Sequence, residues 1–171
     1  MKAACLYTLE KVPHQYQALV KKGVYMPSND LQELLDKKAT MDVMIRYATS
    51  VDTHDLERYR TCFVDDLETV GFGNEVFPSA DDFVTYVREA LKQFGATQHL
   101  MGNQVVEFQE GGDIAHTYTD VQATHFMADD PEVIMTLYAT YFDIMVRINS
   151  EWKIRRHELR PRGSQTTRHS P

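Results

Sequence analysis

Apolar positions recur every three or four residues in the first half of the chain and predict three helices. The pattern predicts a long helix over 29–52 and a shorter one over 55–63. A third helix begins at Ser79, a favoured N-cap residue, and ends before Gly95. Between the second and third helices, a short strand over 67–72 is predicted.

From Thr97 onward β-branched and aromatic residues dominate, and Gly- or Asp-rich turns separate long runs of them. The runs predict four strands over 97–108, 114–127, 133–148 and 152–159. Consecutive strands joined by short turns form an antiparallel meander. Helices followed by such a sheet predict an α+β fold, in which a curved sheet with helices across one face forms a cone-shaped barrel. Its apolar interior is a natural small-ligand pocket.

The two ends of the chain differ from this middle part. Residues 1–28 have no clear period and contain two prolines and a glycine, so we interpret them as an N-terminal arm. The domain is predicted over 29–160, and residues 161–171 are predicted to be a flexible, solvated tail.

The amino-acid composition indicates which binding partners and which cellular compartment to expect. Eighteen Lys and Arg against 25 Asp and Glu give a net charge of −7 over 171 residues, which argues against nucleic-acid binding. The longest uncharged apolar stretch is about half of what a bilayer span requires, so no contact with a membrane is expected. With no apolar leader and only Cys5 and Cys62, we expect a cytoplasmic protein.

Two polar residues stand at unusual places. Asp52 ends the predicted first helix, where a carboxylate opposes the helix dipole. His99 lies at the start of the first long strand. Taken singly, each has an ordinary explanation, because Asp is common in turns and most strand histidines are structural.

Asp52 and His99 belong to two of four segments that carry a family resemblance: Arg46-Tyr47 to Asp52, Thr97-Gln98-His99 to Asn103, Gly112-Asp113-Ile114-Ala115 and Trp152-Lys153-Ile154. In this order and spacing, the segments resemble the SnoaL-like branch of the nuclear-transport-factor-2-like superfamily. That superfamily includes scytalone dehydratase, bile-acid dehydratase, a dehydrochlorinase and ketosteroid isomerase. The resemblance implies the same cone-shaped fold without a metal or an organic cofactor. It also implies an Asp–His pair that transfers protons, with Asp52 and His99 at those two positions.

The chemistry of these residue types agrees with that role. A neutral histidine can accept a proton near pH 7, since its unperturbed pKa is about 6.5. An aspartate bonded to the other ring nitrogen fixes the tautomer and stabilises the imidazolium. Removing a proton beside a leaving hydroxyl and returning a proton to it is a dehydration. We therefore expect a cofactor-independent lyase of the dehydratase type, acting on a hydrophobic cyclic or polyketide-like small molecule.

Three further residues are candidates for substrate binding. Tyr47 stands five residues before Asp52, but the helical period turns the two about 140° apart, so its role rests on the resemblance and a core position stays open. Arg147 is close to the position of a pocket arginine in dehydrochlorinase-like relatives. A surface arginine at the strand end, or an ion pair with Asp143 on the same strand face, would also explain it. Asn103 ends the segment of the first strand that carries the resemblance.

Other motifs give little support to different chemistry. His116 and His125 are nine residues apart, so they lie on opposite strand faces unless a bulge intervenes. We find no spacing typical of metal ligands, no phosphate-binding glycine loop and no nucleophile elbow. No metal site and no cofactor are expected.

Two alternatives to a dehydratase remain open. One is an isomerase or polyketide cyclase of the same fold, with Asp52 itself as the base. The other is a non-catalytic ligand-binding or assembly module, because one fold hosts unrelated functions. His99 favours the lyase over the isomerase, since isomerase-like and cyclase-like members often work without a histidine there.

The third long strand, 133–148, carries apolar or aromatic residues on both faces. One face can line the pocket, and the other needs a cover. The helices, the N-terminal arm or a second copy of the sheet could supply this cover. The resemblance implies packing of sheet on sheet, so we expect a closed homo-oligomer, with a homotrimer ahead of a dimer.

Overall fold

The computed structural model describes residues 28–73 and 76–169. The chain divides into two compact units, residues 1–35 and 36–171. Only the first residues of a helix are described in the smaller unit, so the predicted arm lies outside the described residues apart from Ser28. In chain order the elements are α1 Ser28–Asp52, α2 Leu56–Arg60, β1 Phe63–Val70, α3 Ala80–Leu91, β2 Phe94–Phe108, β3 Ile114–Met127, β4 Val133–Ile148 and β5 Glu151–Arg168.

The five strands form one curved, open sheet in the order β1-β5-β4-β3-β2. Strands β2 to β5 are the predicted antiparallel meander, and the α+β cone is confirmed. The short strand predicted over 67–72 is β1, which begins earlier, at Phe63, and ends at Val70. It forms a parallel edge beside β5, and this pairing was not predicted from the sequence. Its first half contains two adjacent aspartates, and its register shifts between Phe63 and Glu68, so its apolar pattern is interrupted.

The helices follow the predicted pattern with small differences. Helix α1 ends at Asp52 as predicted. Helix α2 is shorter than predicted because the chain enters β1 at Phe63. The Ser79 hydroxyl accepts the backbone N–H of Asp82 at 3.2 Å and caps α3, which confirms the predicted start.

The predicted tail is wrong over residues 161–168, which extend β5. These residues are exposed, but they pair with β4 along its whole length, as far as Arg168 opposite Val133. The register shifts opposite Tyr138 and Ala139, and this bulge lets the strand continue past Pro161 and Gly163. Pairing with a long neighbouring strand therefore outweighs the local preference of proline and glycine for loops.

The core of the larger unit lies between the helices and the concave face of the sheet. Residues such as Met44, Phe63, Phe83, Met145 and Ile154 are fully buried there. Buried positions of α1 recur three or four residues apart, so one face of this helix packs inward. Within the described residues, no helix is both long enough and apolar enough to cross a membrane.

Candidate active site

Asp52 and His99 are directly hydrogen-bonded. The distance between His99 Nδ1 and Asp52 Oδ1 is 2.7 Å, and the backbone N–H of His99 donates to Asp52 Oδ2 at 2.8 Å. The Thr97 hydroxyl donates to Oδ1 at 2.8 Å. A carboxylate can only accept a hydrogen bond, so Nδ1 carries a proton toward Asp52, and Nε2 is left as the ring nitrogen that faces other partners.

These contacts follow from where the two elements end and begin. His54, with a φ of 58°, lies in the left-handed region just after α1, and the Asp55 N–H closes the helix on the Ser50 carbonyl at 2.9 Å. Thr97 and His99 are two residues apart in β2, so their side chains lie on the same face of the strand. The end of α1 therefore meets two donors from one strand.

The electrostatics of Asp52 favour its ionised form. Burial acts to raise the pKa of Asp52, but hydrogen bonds from the His99 ring and backbone and from Thr97 outweigh it. The pKa of this carboxyl consequently lies below its usual value. Asp52 is thus suited to orient His99 and to stabilise a positive charge on it.

A cavity of about 170 Å³ lies next to the His99 ring. It is mainly apolar, and its wall includes Phe72, Tyr86, Leu91, Phe94, Leu137 and Leu159. Of the two paired residues, His99 lines the cavity and Asp52 does not, as far as the described residues show. A larger depression of about 480 Å³ lies elsewhere, beside Leu100 and Tyr138, but neither Asp52 nor His99 lines it. The smaller cavity is therefore the candidate site.

His125 is a second histidine of the cavity wall. Its ring centroid is 5.7 Å from that of His99, and the rings are nearly perpendicular. Burial lowers the pKa of His125, and the neighbouring His99 adds to this effect. The sequence showed only that His125 and His116 face opposite ways; it did not show which of the two faces inward.

A second buried acid–histidine pair was missed by the sequence analysis. His157 Nδ1 lies 2.6 Å from Asp143 Oδ1, and His157 Nε2 lies 3.2 Å from the Tyr47 hydroxyl. The Tyr47 hydroxyl lies 3.4 Å from that of Tyr141, and both tyrosines line the cavity. Asp143 and His157 are 14 residues apart in the sequence and lie opposite each other on β4 and β5. Only the register of these two strands could have indicated their contact.

Comparison with known proteins identifies the family. The model of the SnoaL-like domain matches residues 32–158. The chain belongs to the SnoaL-like domain family. A search of curated proteins gives no match.

Solved structures share the fold of this SnoaL-like domain. A scytalone dehydratase-like protein from Novosphingobium aromaticivorans is 24% identical, with a TM-score of 0.72, covering 81% of this chain and 91% of that one. Hexachlorocyclohexane dehydrochlorinase LinA-type3 from Novosphingobium barchaimii is 18% identical, with a TM-score of 0.72, covering 83% and 99%. At these identities the likeness shows the fold, and the resemblance found in the sequence is confirmed.

Tyr47 of the SnoaL-like domain is buried and faces the cavity. Its ring packs against Tyr59 and Tyr141, with centroids 4.9 and 5.4 Å away. Burial, followed by the nearby Tyr59, raises the pKa of Tyr47 well above its usual value, so the hydroxyl is neutral at pH 7. Tyr47 therefore belongs to the core and lines the cavity at the same time, whereas the sequence left these two positions as alternatives.

Arg147 does not line the cavity in the described part of the SnoaL-like domain. Its guanidinium binds both oxygens of Asp36 at 2.7 Å, donates to Asp113 at 3.0 Å and stacks on Trp152. The substrate-binding prediction is corrected because these partners hold the side chain between α1 and the β2–β3 turn. The alternative ion pair with Asp143 is also wrong, since that carboxylate binds His157.

Asn103 is exposed and donates to Asp120 at 3.1 Å, away from the cavity. Strand alternation from His99 would place it inward, but the register between β2 and β3 shifts between Met101 and Gln104. This bulge turns Asn103 outward and brings Gln104 into contact with the Thr119 hydroxyl at 3.1 Å. The prediction for Asn103 as a substrate-binding residue is therefore corrected.

Within the described residues, no group of three or more His, Cys, Asp or Glu side chains is placed to hold a metal ion.

Proposed function

We propose that this SnoaL-like domain is a cofactor-independent lyase of the dehydratase type. One observation carries the proposal: the His99 ring is held by Asp52 at Nδ1 and lines an apolar cavity. Nε2 is thus the ring nitrogen available to a bound molecule. The dehydratase-like and dehydrochlorinase structural neighbours are consistent with this chemistry.

His99 Nε2 acts as the base in this proposal. It takes the proton from a carbon next to a carbonyl group, and the C–H electron pair forms the new C=C bond as the neighbouring C–O bond breaks. The imidazolium, stabilised by Asp52, then returns the proton to the departing hydroxyl, which leaves as water. Atoms and electrons balance, and the step needs no co-reactant.

The other polar residues of the cavity are suited to hold the substrate's oxygen atoms. The hydroxyls of Tyr47 and Tyr141 are kept neutral because burial raises the pKa of both. The Tyr47 hydroxyl donates to that of Tyr141 at 3.4 Å, so Tyr141 can donate to the carbonyl oxygen, where negative charge develops as the proton leaves. His125, whose pKa is lowered by burial, is a neutral hydrogen-bonding partner for a hydroxyl group.

The size of the cavity indicates the ligand class. An apolar cavity of about 150 Å³ is large enough for benzene, so about 170 Å³ accommodates one six-membered ring with small substituents. We therefore propose a hydrophobic cyclic β-hydroxyketone as the type of substrate. Longer polyketide-like molecules would have to extend through the mouth of the cavity.

The state of Asp52 favours the lyase over an isomerase or cyclase in which Asp52 is the base. Three hydrogen bonds satisfy its carboxylate, and they lower its pKa and hence its basicity. His99 also stands between this carboxylate and the cavity. The substrate screen described below distinguishes the lyase from a non-catalytic ligand-binding module.

A substrate screen tests the proposal. The purified protein is incubated with cyclic β-hydroxyketones of one and two rings, and loss of water is followed by mass spectrometry. We expect water loss from one-ring compounds with the wild type and a much slower reaction with Asp52→Asn. Binding of these compounds without any turnover would support a ligand-binding module instead.

A further inference from the structure

The acid–histidine pair behind the cavity has no part in the proton transfer proposed for His99. Asp143 is 2% exposed and His157 is fully buried, in a cluster of aromatic rings. Phe72 stacks on the His157 ring with centroids 4.9 Å apart. Because a buried ion pair is weak support for stability and apolar residues can replace it at little cost, stability alone does not explain these two residues.

The surroundings of Asp143 disfavour a single buried negative charge. Its Oδ2 atom is buried and has no hydrogen-bond partner among the described residues. Burial raises the pKa of Asp143, and His157 opposes this only in part. A pair that is neutral overall shares two protons, either as carboxylate with imidazolium or as carboxylic acid with neutral imidazole. In both arrangements Nε2 of His157 carries a proton.

A proton on Nε2 sets the direction of the hydrogen bonds that follow. Nε2–H donates to the Tyr47 oxygen at 3.2 Å, so the Tyr47 proton is directed to the Tyr141 oxygen at 3.4 Å. The Tyr141 proton is then free for a molecule in the cavity, which Tyr141 lines. Hydrogen bonds that point the same way polarise one another, so the last donor is strengthened.

We propose that Asp143 and His157 are positioning residues that direct a chain of hydrogen bonds from His157 through Tyr47 to Tyr141, and that Tyr141 donates to the carbonyl oxygen of the substrate. The proposal rests on the proposed function in its last step only. The chain also specifies ligand chemistry, because it presents a donor and therefore favours a ketone or enolate oxygen over a cationic group at this end of the cavity.

The direction of the chain can be measured without a substrate. Nitrogen NMR of protein labelled with ¹⁵N-histidine distinguishes protonated from unprotonated ring nitrogens, and His157→Phe assigns the signal. We expect the Nε2 signal of His157 to be that of a protonated nitrogen that donates to Tyr47. An unprotonated Nε2 on His157 would overturn the proposal, whether or not the protein converts a substrate.

A double-mutant cycle tests the effect on catalysis once a substrate is found. His157→Phe keeps an aromatic ring but removes the donor, and we expect kcat to fall roughly 10-fold with KM little changed. In the Tyr47→Phe background, the same change should have almost no further effect, because the chain is already broken. Equal losses in both backgrounds would show a structural role and overturn the proposal.

Two controls separate this inference from the proposed function. Phe63→Leu alters packing 6.2 Å from the His157 ring without touching a hydrogen bond of the chain, so kcat should stay within a few-fold. His157→Gln can restore a donor to Tyr47 and should recover part of the loss. If His99→Ala leaves turnover unchanged, the proposed function fails, and the NMR result still decides the direction of the chain.

Discussion

His99 binds both carboxylate oxygens of Asp52, with its ring Nδ1 2.7 Å from Oδ1 and its backbone N–H 2.8 Å from Oδ2. The end of a helix and the start of a strand are thereby fixed to each other by one residue. Because the backbone holds one oxygen, the carboxylate cannot rotate away from the ring. The pair that we propose for proton transfer is thus held in place by contacts within the protein itself.

Thr97→Val tests how this carboxylate is held. The change removes the donor to Asp52 Oδ1 and keeps the shape of the side chain. We expect the pKa of Asp52 to rise, because one of the hydrogen bonds that lower it is lost. Carboxyl NMR titration measures the shift. Thr117→Val is a matched control, since its buried hydroxyl has no partner among the described residues; an equal Asp52 pKa in the wild type and Thr97→Val would contradict the expectation.

The lowered pKa of Asp52 also predicts how stability depends on pH. A carboxyl whose folded pKa lies below its unfolded value stabilises the fold above the unfolded pKa, near 4, and this contribution is lost as the pH falls through the folded pKa. The wild type should therefore exceed Asp52→Asn in free energy of unfolding by more at pH 7 than at pH 3. Urea denaturation at both pH values measures this, and a constant difference would argue against an ionised, hydrogen-bonded Asp52.

Arg147→Met is expected to affect stability and not catalysis. It removes both hydrogen bonds that the guanidinium donates to Asp36, whose side chain is 10% exposed. Loss of charged hydrogen bonds of this kind costs about 1.5–3 kcal/mol. Thermal or urea unfolding measures the loss. A kcat reduced by more than a few-fold in a variant that is still folded would return Arg147 to the substrate site.

The outer face of the sheet supports the expectation of a homo-oligomer. Leu100, Gln122 and Tyr138 lie side by side on three adjacent strands, and Leu100 is 63% exposed. Leu100 and Tyr138, which is 39% exposed, flank the polar Gln122, and large exposed apolar side chains on a broad sheet face are typical of an interface. We expect light scattering to give a multiple of 19.7 kDa, with a trimer ahead of a dimer. Leu100→Lys should shift it toward the monomer, whereas a wild-type mass near 19.7 kDa would contradict this.

Sequence reasoning predicted the parts of the fold that depend on local pattern. The three helices, the four-stranded meander and the Asp52–His99 pair follow from periodicity, turn residues and family resemblance. What it could not predict depends on pairing between distant segments. The bulge that turns Asn103 outward, the parallel edge strand, the extension of β5 and the Asp143–His157 pair all arise from strand register. Arg147 was misplaced for a similar reason, because its partner Asp36 is 111 residues away.

The central claim is that His99 is the catalytic base, and kcat/KM of His99→Ala tests it most directly. The measurement uses the one-ring hydroxyketone that the wild type converts fastest, with His116→Ala as the matched control, because His116 contacts Gln109 and does not line the cavity in the described residues. We predict a loss of about 10²-fold or more for His99→Ala, in a protein that remains folded, and a value within a few-fold of the wild type for His116→Ala. Equal activity of the two variants would contradict the account.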